Sequence, residues 1–130
     1  MKIKTDRDLM LLLIDAVAPL FGIPPDQIKR RSRFRPEVDA RHAIFSYLHE
    51  VKGWGPTRTL RAFPVSFDHS TIIHGVNISA RICDVDSDYK ERRRQAFSAM
   101  DLVFNVTRCE PTPPIENIYL TTNEAQNERR

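Results

Sequence analysis

Apolar residues recur along the chain at helical spacing in successive blocks, and the alternation expected of strands is nearly absent. The first block carries Leu9, Leu12, Leu13, Ala16, Val17 and Leu20. It lies behind a capping-box-like start at Thr5 and Asp8, with Asp6 and Asp8 favourable to the helix dipole. This predicts a core helix ending near Gly22. Pro24 and Pro25 suit the opening of a short helical turn that ends at Ile28. The basic stretch Lys29-Arg30-Arg31-Ser32-Arg33-Phe34-Arg35 then reads as a loop. From Pro36 a second long helix is predicted, with Val38, Ala40 or Arg41, Ile44, Phe45, Leu48 and Val51 on its inner face and Gly53 at its end. A short helix from Pro56 through Phe63 is halted by Pro64. Asp68 is placed to cap the next helix. Its inward stripe reads Ile72, Ile73, Val76, Ala80 and Cys83, while His69, Thr71, His74, Asn77 and Ser79 fall elsewhere. After an acidic break at residues 84–88, a last helix sets Lys90, Arg92, Arg93 and Arg94 beside Ala96, Phe97, Met100, Val103 and Phe104.

The pattern thus predicts an all-α domain of five to six helices over residues 1–104. Residues 105–130 turn to proline, threonine and polar residues, with only Ile115, Ile118, Tyr119 and Leu120 able to pack, and read as a largely disordered tail. A length of 130 residues with 41% apolar and 8% aromatic content fits one small domain and excludes a multidomain enzyme. The longest apolar run is broken by Asp15 and Pro19, falls short of the ~20 residues a bilayer span requires and lacks a signal-peptide cleavage site. Cys83 and Cys109 are too few for a disulfide framework and do not form a C-x-x-C pair. The expectation is a cytoplasmic protein with reduced thiols, no metal and no cofactor.

A net charge of +3 argues only weakly for a polyanionic partner; the local distribution says more. Residues 29–41 hold Lys29, Arg30, Arg31, Arg33, Arg35 and Arg41 against Glu37 and Asp39, an excess of four in thirteen residues. Such a run can neutralise phosphates, and arginine suits bidentate phosphate or guanine contacts and a narrow minor groove. A solvated loop is the plain alternative. The second constellation is Asp68-His69-Ser70-Thr71 at a helix start, where free N–H groups, the dipole and two hydroxyls favour an anion and His69 can reach a base edge. An ordinary capped helix is the plain alternative here. The short helix and tight break before it make this the second helix of a helix-turn-helix, with groove-reading residue types facing out.

Phe21-Gly22-Ile23, Lys29-Arg30-Arg31-Ser32-Arg33, Ala40-Arg41-His42-Ala43, Tyr47-Leu48, Ala62-Phe63 and Asp68-His69-Ser70-Thr71-Ile72-Ile73-His74-Gly75 stand in a characteristic order and approximate spacing. In these residues the chain resembles the C-terminal DNA-binding domain of the bacterial replication initiator DnaA, over roughly residues 9–104. The resemblance implies a Trp-repressor-like helix-turn-helix that binds a short asymmetric duplex box, in a nucleoid-associated protein. It places Asp68, His69, Ser70 and Thr71, with His74 on the same helix, at the major groove and adjacent phosphates. It matches Arg33 to the minor-groove arginine, and Arg41 with His42 to the Arg-Gln pair of the following helix. The chain departs from the family at Pro64-Val65-Ser66-Phe67, where a Gly-Gly-Arg-like run is usual, at Leu60, which replaces a glycine, and at His42. These departures imply a preferred sequence other than the usual initiator box. The family's initiators carry an ATPase domain, whereas this chain has no G-x-x-x-x-G-K-[ST]; the expectation is a DNA-binding domain without ATPase, acting at an origin-like or regulatory site.

Other function classes fare worse. Asp68, His69 and Ser70 cannot form a catalytic triad, because consecutive helical residues point in different directions. His69 and His74 are five apart, which does not fit a H-E-x-x-H metal site. RNA binding lacks aromatic stacking platforms, since Tyr47 and Trp54 have structural explanations. The alternative is a protein-interaction module docking on a host replication component through residues 115–120.

Overall fold

Thr5 opens the first helix as the spacing predicts, its hydroxyl oxygen accepting the Asp8 N–H at 3.0 Å. In the computed structural model, which describes residues 5–30 and 34–107, helix α1 spans Asp6–Val17 and passes into a 3₁₀ turn at Ala18–Phe21. Gly22 ends that turn in the left-handed region, at φ 72°, where a side chain would be strained. Five further helices follow: α2 (Pro25–Ile28), α3 (Arg35–Glu50), α4 (Pro56–Ala62), α5 (His69–Val85) and α6 (Ser87–Thr107). Pro25, Pro36 and Pro56 all stand in the first turns of their helices, where the missing N–H costs nothing. The protein is all-α, with no strand among the described residues. No described helix is long and apolar enough to cross a membrane.

α3 is the central rod. α5 packs on it most extensively, α6, α2, α1 and α4 also touch it, and α1 pairs with α6 on the other side. Ala40, Ala43, Ile44, Phe45, Tyr47 and Leu48 are all sealed, so α3 buries most of its circumference and not just the single stripe predicted. Burial of each large apolar side chain contributes ~1.5–3 kcal/mol, and the core draws such residues from α1, α2, α3, α5 and α6. Trp54 plugs the end of α3, 3% exposed, its backbone N–H donating to the Leu48 carbonyl. Tyr47 donates to Asp101 Oδ1 on α6 at 2.7 Å.

The structure revises several predicted stripes. In α1, Met10 and Ile14 are fully buried beside Leu9, Leu13 and Val17, while Leu12 and Ala16 are only half-buried; other helices crowd α1 from more than one side. Val51, expected inside, is 50% exposed because α3 ends at Glu50. On α5 Ile72 is buried and Val76 and Cys83 pack against the core as predicted, and Gly75 and Ser79 join them, whereas Ile73 and Ala80 face outward. Small residues four apart let α5 approach α3 closely. Ser79, expected outside, meets the Tyr89 hydroxyl at 2.6 Å and accepts from Arg93 Nε at 2.9 Å. Arg93 also clamps Glu50 with 2.9 Å contacts, joining α3, α5 and α6.

Gly75 shows how tight the α3–α5 contact is. A Cβ there would stand 2.8 Å from His42 Cδ2 and 3.1 Å from Phe45 Cδ2. Gly75→Ala would gain up to ~1 kcal/mol of helix propensity, yet overpacking costs about 1–3 kcal/mol. The variant is expected to unfold at lower urea concentration than the parent; an unchanged midpoint would mean that the two rings yield without cost.

Candidate nucleic-acid interface

The two constellations marked in the sequence lie at the ends of neighbouring elements, and Arg41 connects them. Its Nη1 donates to the carbonyls of Ile28 at 3.3 Å and Arg30 at 2.8 Å, where the basic loop begins. The same guanidinium lies 5.6 Å from the centre of the Phe67 ring, one residue before α5 is capped. One side chain of α3 thus holds the root of the loop beside the entry to α5. Arg41 is itself 5% exposed, and burial lowers its pKa against the opposing charge of Glu37. The resemblance puts Arg41 among the DNA-contacting residues; in the fold its guanidinium is spent on backbone carbonyls.

His42, matched with Arg41 by the resemblance, also points into the fold. It packs under Gly75, its Nδ1 is buried without a hydrogen-bond partner among the described residues, and its pKa is pushed down to about 4. Desolvation is the main cause, with the charges of Arg41 and His74 adding to it. His42 is a neutral packing group of the α3–α5 contact.

Asp68 occupies the N-cap position of α5, and its carbonyl accepts the Thr71 and Ile72 N–H groups. Its side chain makes no capping bond, contrary to expectation, and the carboxylate is left at the exposed helix start. His69, Ser70 and His74 are exposed, and Thr71 is half-buried. His69 Nε2 lies 2.9 Å from the Thr57 hydroxyl, so the first turn of α4 orients the imidazole. Nothing local in the sequence marks Thr57, twelve residues upstream of its partner.

The basic residues divide. Arg30 is exposed, and Lys29 leans 3.5 Å from Asp26. Arg35 is bridged to Asp39 at 3.1 Å and to Asp86 at 3.3 Å, which ties the start of α3 to the break between α5 and α6. Burial raises the pKa of Asp39 even though Arg35 opposes the shift. Arg31 and Arg33, and the tail with Ile115, Ile118, Tyr119 and Leu120, lie outside the described residues. On α6, Arg93 and Arg94 are spent on Glu50 and Glu91. Among the described residues, the first two turns of α5 thus expose Ser70 and His74 beside His69, and Arg30 is exposed at the loop root. Set against protein-family models, curated proteins and solved structures, the chain matches none.

Proposed function

We propose that the domain binds double-stranded DNA sequence-specifically, with α4, the break at residues 63–68 and α5 serving as a helix-turn-helix and α5 entering the major groove. The observation that carries this reading is the Arg41 bridge, which sets a basic loop root beside an exposed helix start rich in hydrogen-bonding side chains. Arg30 and the loop meet phosphates and the adjacent minor groove, while Asp68, His69, Ser70, Thr71 and His74 face base edges and the flanking backbone. The resemblance to the DnaA C-terminal domain supports the same assignment and points to an origin-like or regulatory site. Arg41 and His42 act from within, positioning the two contact segments.

Selection from a random duplex library at physiological salt, followed by titration of the winner and a scrambled control, tests the proposal. His69→Ala or Thr71→Ala is expected to relax preference by ~1–3 kcal/mol per lost base contact. Arg30→Ala is expected to weaken all duplexes alike and to reduce the slope of log affinity against log salt by ~0.9. Preference untouched by His69→Ala would remove α5 from the groove.

A further inference from the structure

The outward face of α5 does not stop at His74. Ser70, Ile73, His74 and Asn77 follow the i, i+3, i+4, i+7 spacing of one helix face, and all four are exposed. Ile73 is 50% exposed although the sequence pattern assigns it to the core. The stripe is free of acidic residues from Ser70 to Asn77, so nothing on it repels a phosphate backbone. Ile73 and Asn77 also border a shallow cleft with Trp54 and Pro56, but at about 70 Å³ it holds only a few waters and suits no small-molecule ligand. What remains is an exposed pair on one helix, an aliphatic side chain and a carboxamide one turn apart.

We infer that Ile73 and Asn77 extend base reading along the groove, Ile73 against a thymine methyl and Asn77 against an adenine edge; this rests on the duplex-binding reading above. Seven residues of helix advance ~10 Å, or about three base-pair steps of ~3.4 Å, from the point faced by Ser70. A carboxamide matches adenine in bidentate fashion, donating to N7 and accepting from the N6 amino group, and an aliphatic side chain packs on the C5 methyl of thymine. The box therefore contains an A·T-specified segment about three base pairs beyond the positions read by the first turn of α5.

The experiment compares duplex selections for the parent, Asn77→Ala and Ile73→Ala. It is followed by titrations in which 7-deazaadenine replaces the selected adenine, or deoxyuridine the selected thymine. Both changed residues are exposed, and alanine favours helix, so folding is preserved and circular dichroism verifies it. Asn77→Ala is expected to lose roughly 5- to 150-fold discrimination at one adenine and to become indifferent to the deaza substitution, while keeping the preference set by His69. Ile73→Ala is expected to lose the penalty for deoxyuridine, about fourfold for one methyl group. If both variants select the parental motif with parental discrimination, this inference fails and duplex binding stands. If the parent itself enriches no motif, base reading by α5 fails as a whole.

Discussion

Arg41→Ala is expected to lower the stability of the domain by about 2–4 kcal/mol, because it removes a charged donor to two backbone carbonyls in a site with little access to water. The carbonyls of Ile28 and Arg30 would have to find other partners, and Phe67 would lose the cation above its ring. On the proposed duplex-binding reading, affinity for every duplex should fall together, since Arg30 and the start of α5 would lose the side chain that joins them. Arg41→Lys should restore only part of both quantities, because an ammonium cannot span the same carbonyls and ring at once. Urea titrations of the three proteins decide the matter. An alanine variant with the parental midpoint would show that solvent serves the carbonyls as well as the guanidinium does.

The second large effect is on acid stability. His42 has a pKa near 6.5 in an unfolded chain and about 4 in the fold, where burial penalises the charged form. A depressed folded value means that the unfolded state binds the proton more readily. The contribution is therefore fully present above pH 6.5 and is lost as pH falls through 6.5 toward 4. The full shift corresponds to about 3 kcal/mol. His42→Gln removes the titration while keeping a polar side chain of similar length. Unfolding free energies of the two proteins should differ little in pH dependence above pH 7 and diverge between pH 6.5 and 4, with the parent falling faster. Parallel curves over that range would mean that His42 titrates normally in the fold.

How far the sequence leads is clearest by comparing α4 with α3. Pro56 and Pro64 bracket α4, and the missing N–H of each dictates a start or a stop wherever the chain lies in space. The helices and their order were legible for that reason. Burial of Glu37, Asp39 and Ser46 was not, because polarity normally marks an outer face and only the placement of α3 at the centre reverses it. On α5 the two possible stripes, one through Ile73 and Ala80 and one through Gly75 and Ser79, share the same period. Ile73 and Ala80 look inward by composition, yet close helix contact selects Gly75 and Ser79 beside Ile72. At the candidate site, the exposed start of α5 followed from local spacing. The Thr57–His69 contact and the Arg41 bridge required the tertiary fold, since both join residues at least eleven apart.

The inward positions of α5, at Ile72, Gly75 and Ser79, interleave with the outward ones at Ser70, Ile73, His74 and Asn77 without sharing a residue. Stability and surface chemistry are therefore written in separate letters of one helix. Substitutions at Ser70, Ile73 and Asn77 leave the Gly75 contact with His42 and the Ser79 contact with Tyr89 untouched, so they can accumulate independently of the core, whereas His74 also acts on His42 through its charge. Such a scaffold is open to divergence and to retargeting: a library randomised at the four outer positions would sample new surfaces on a conserved frame.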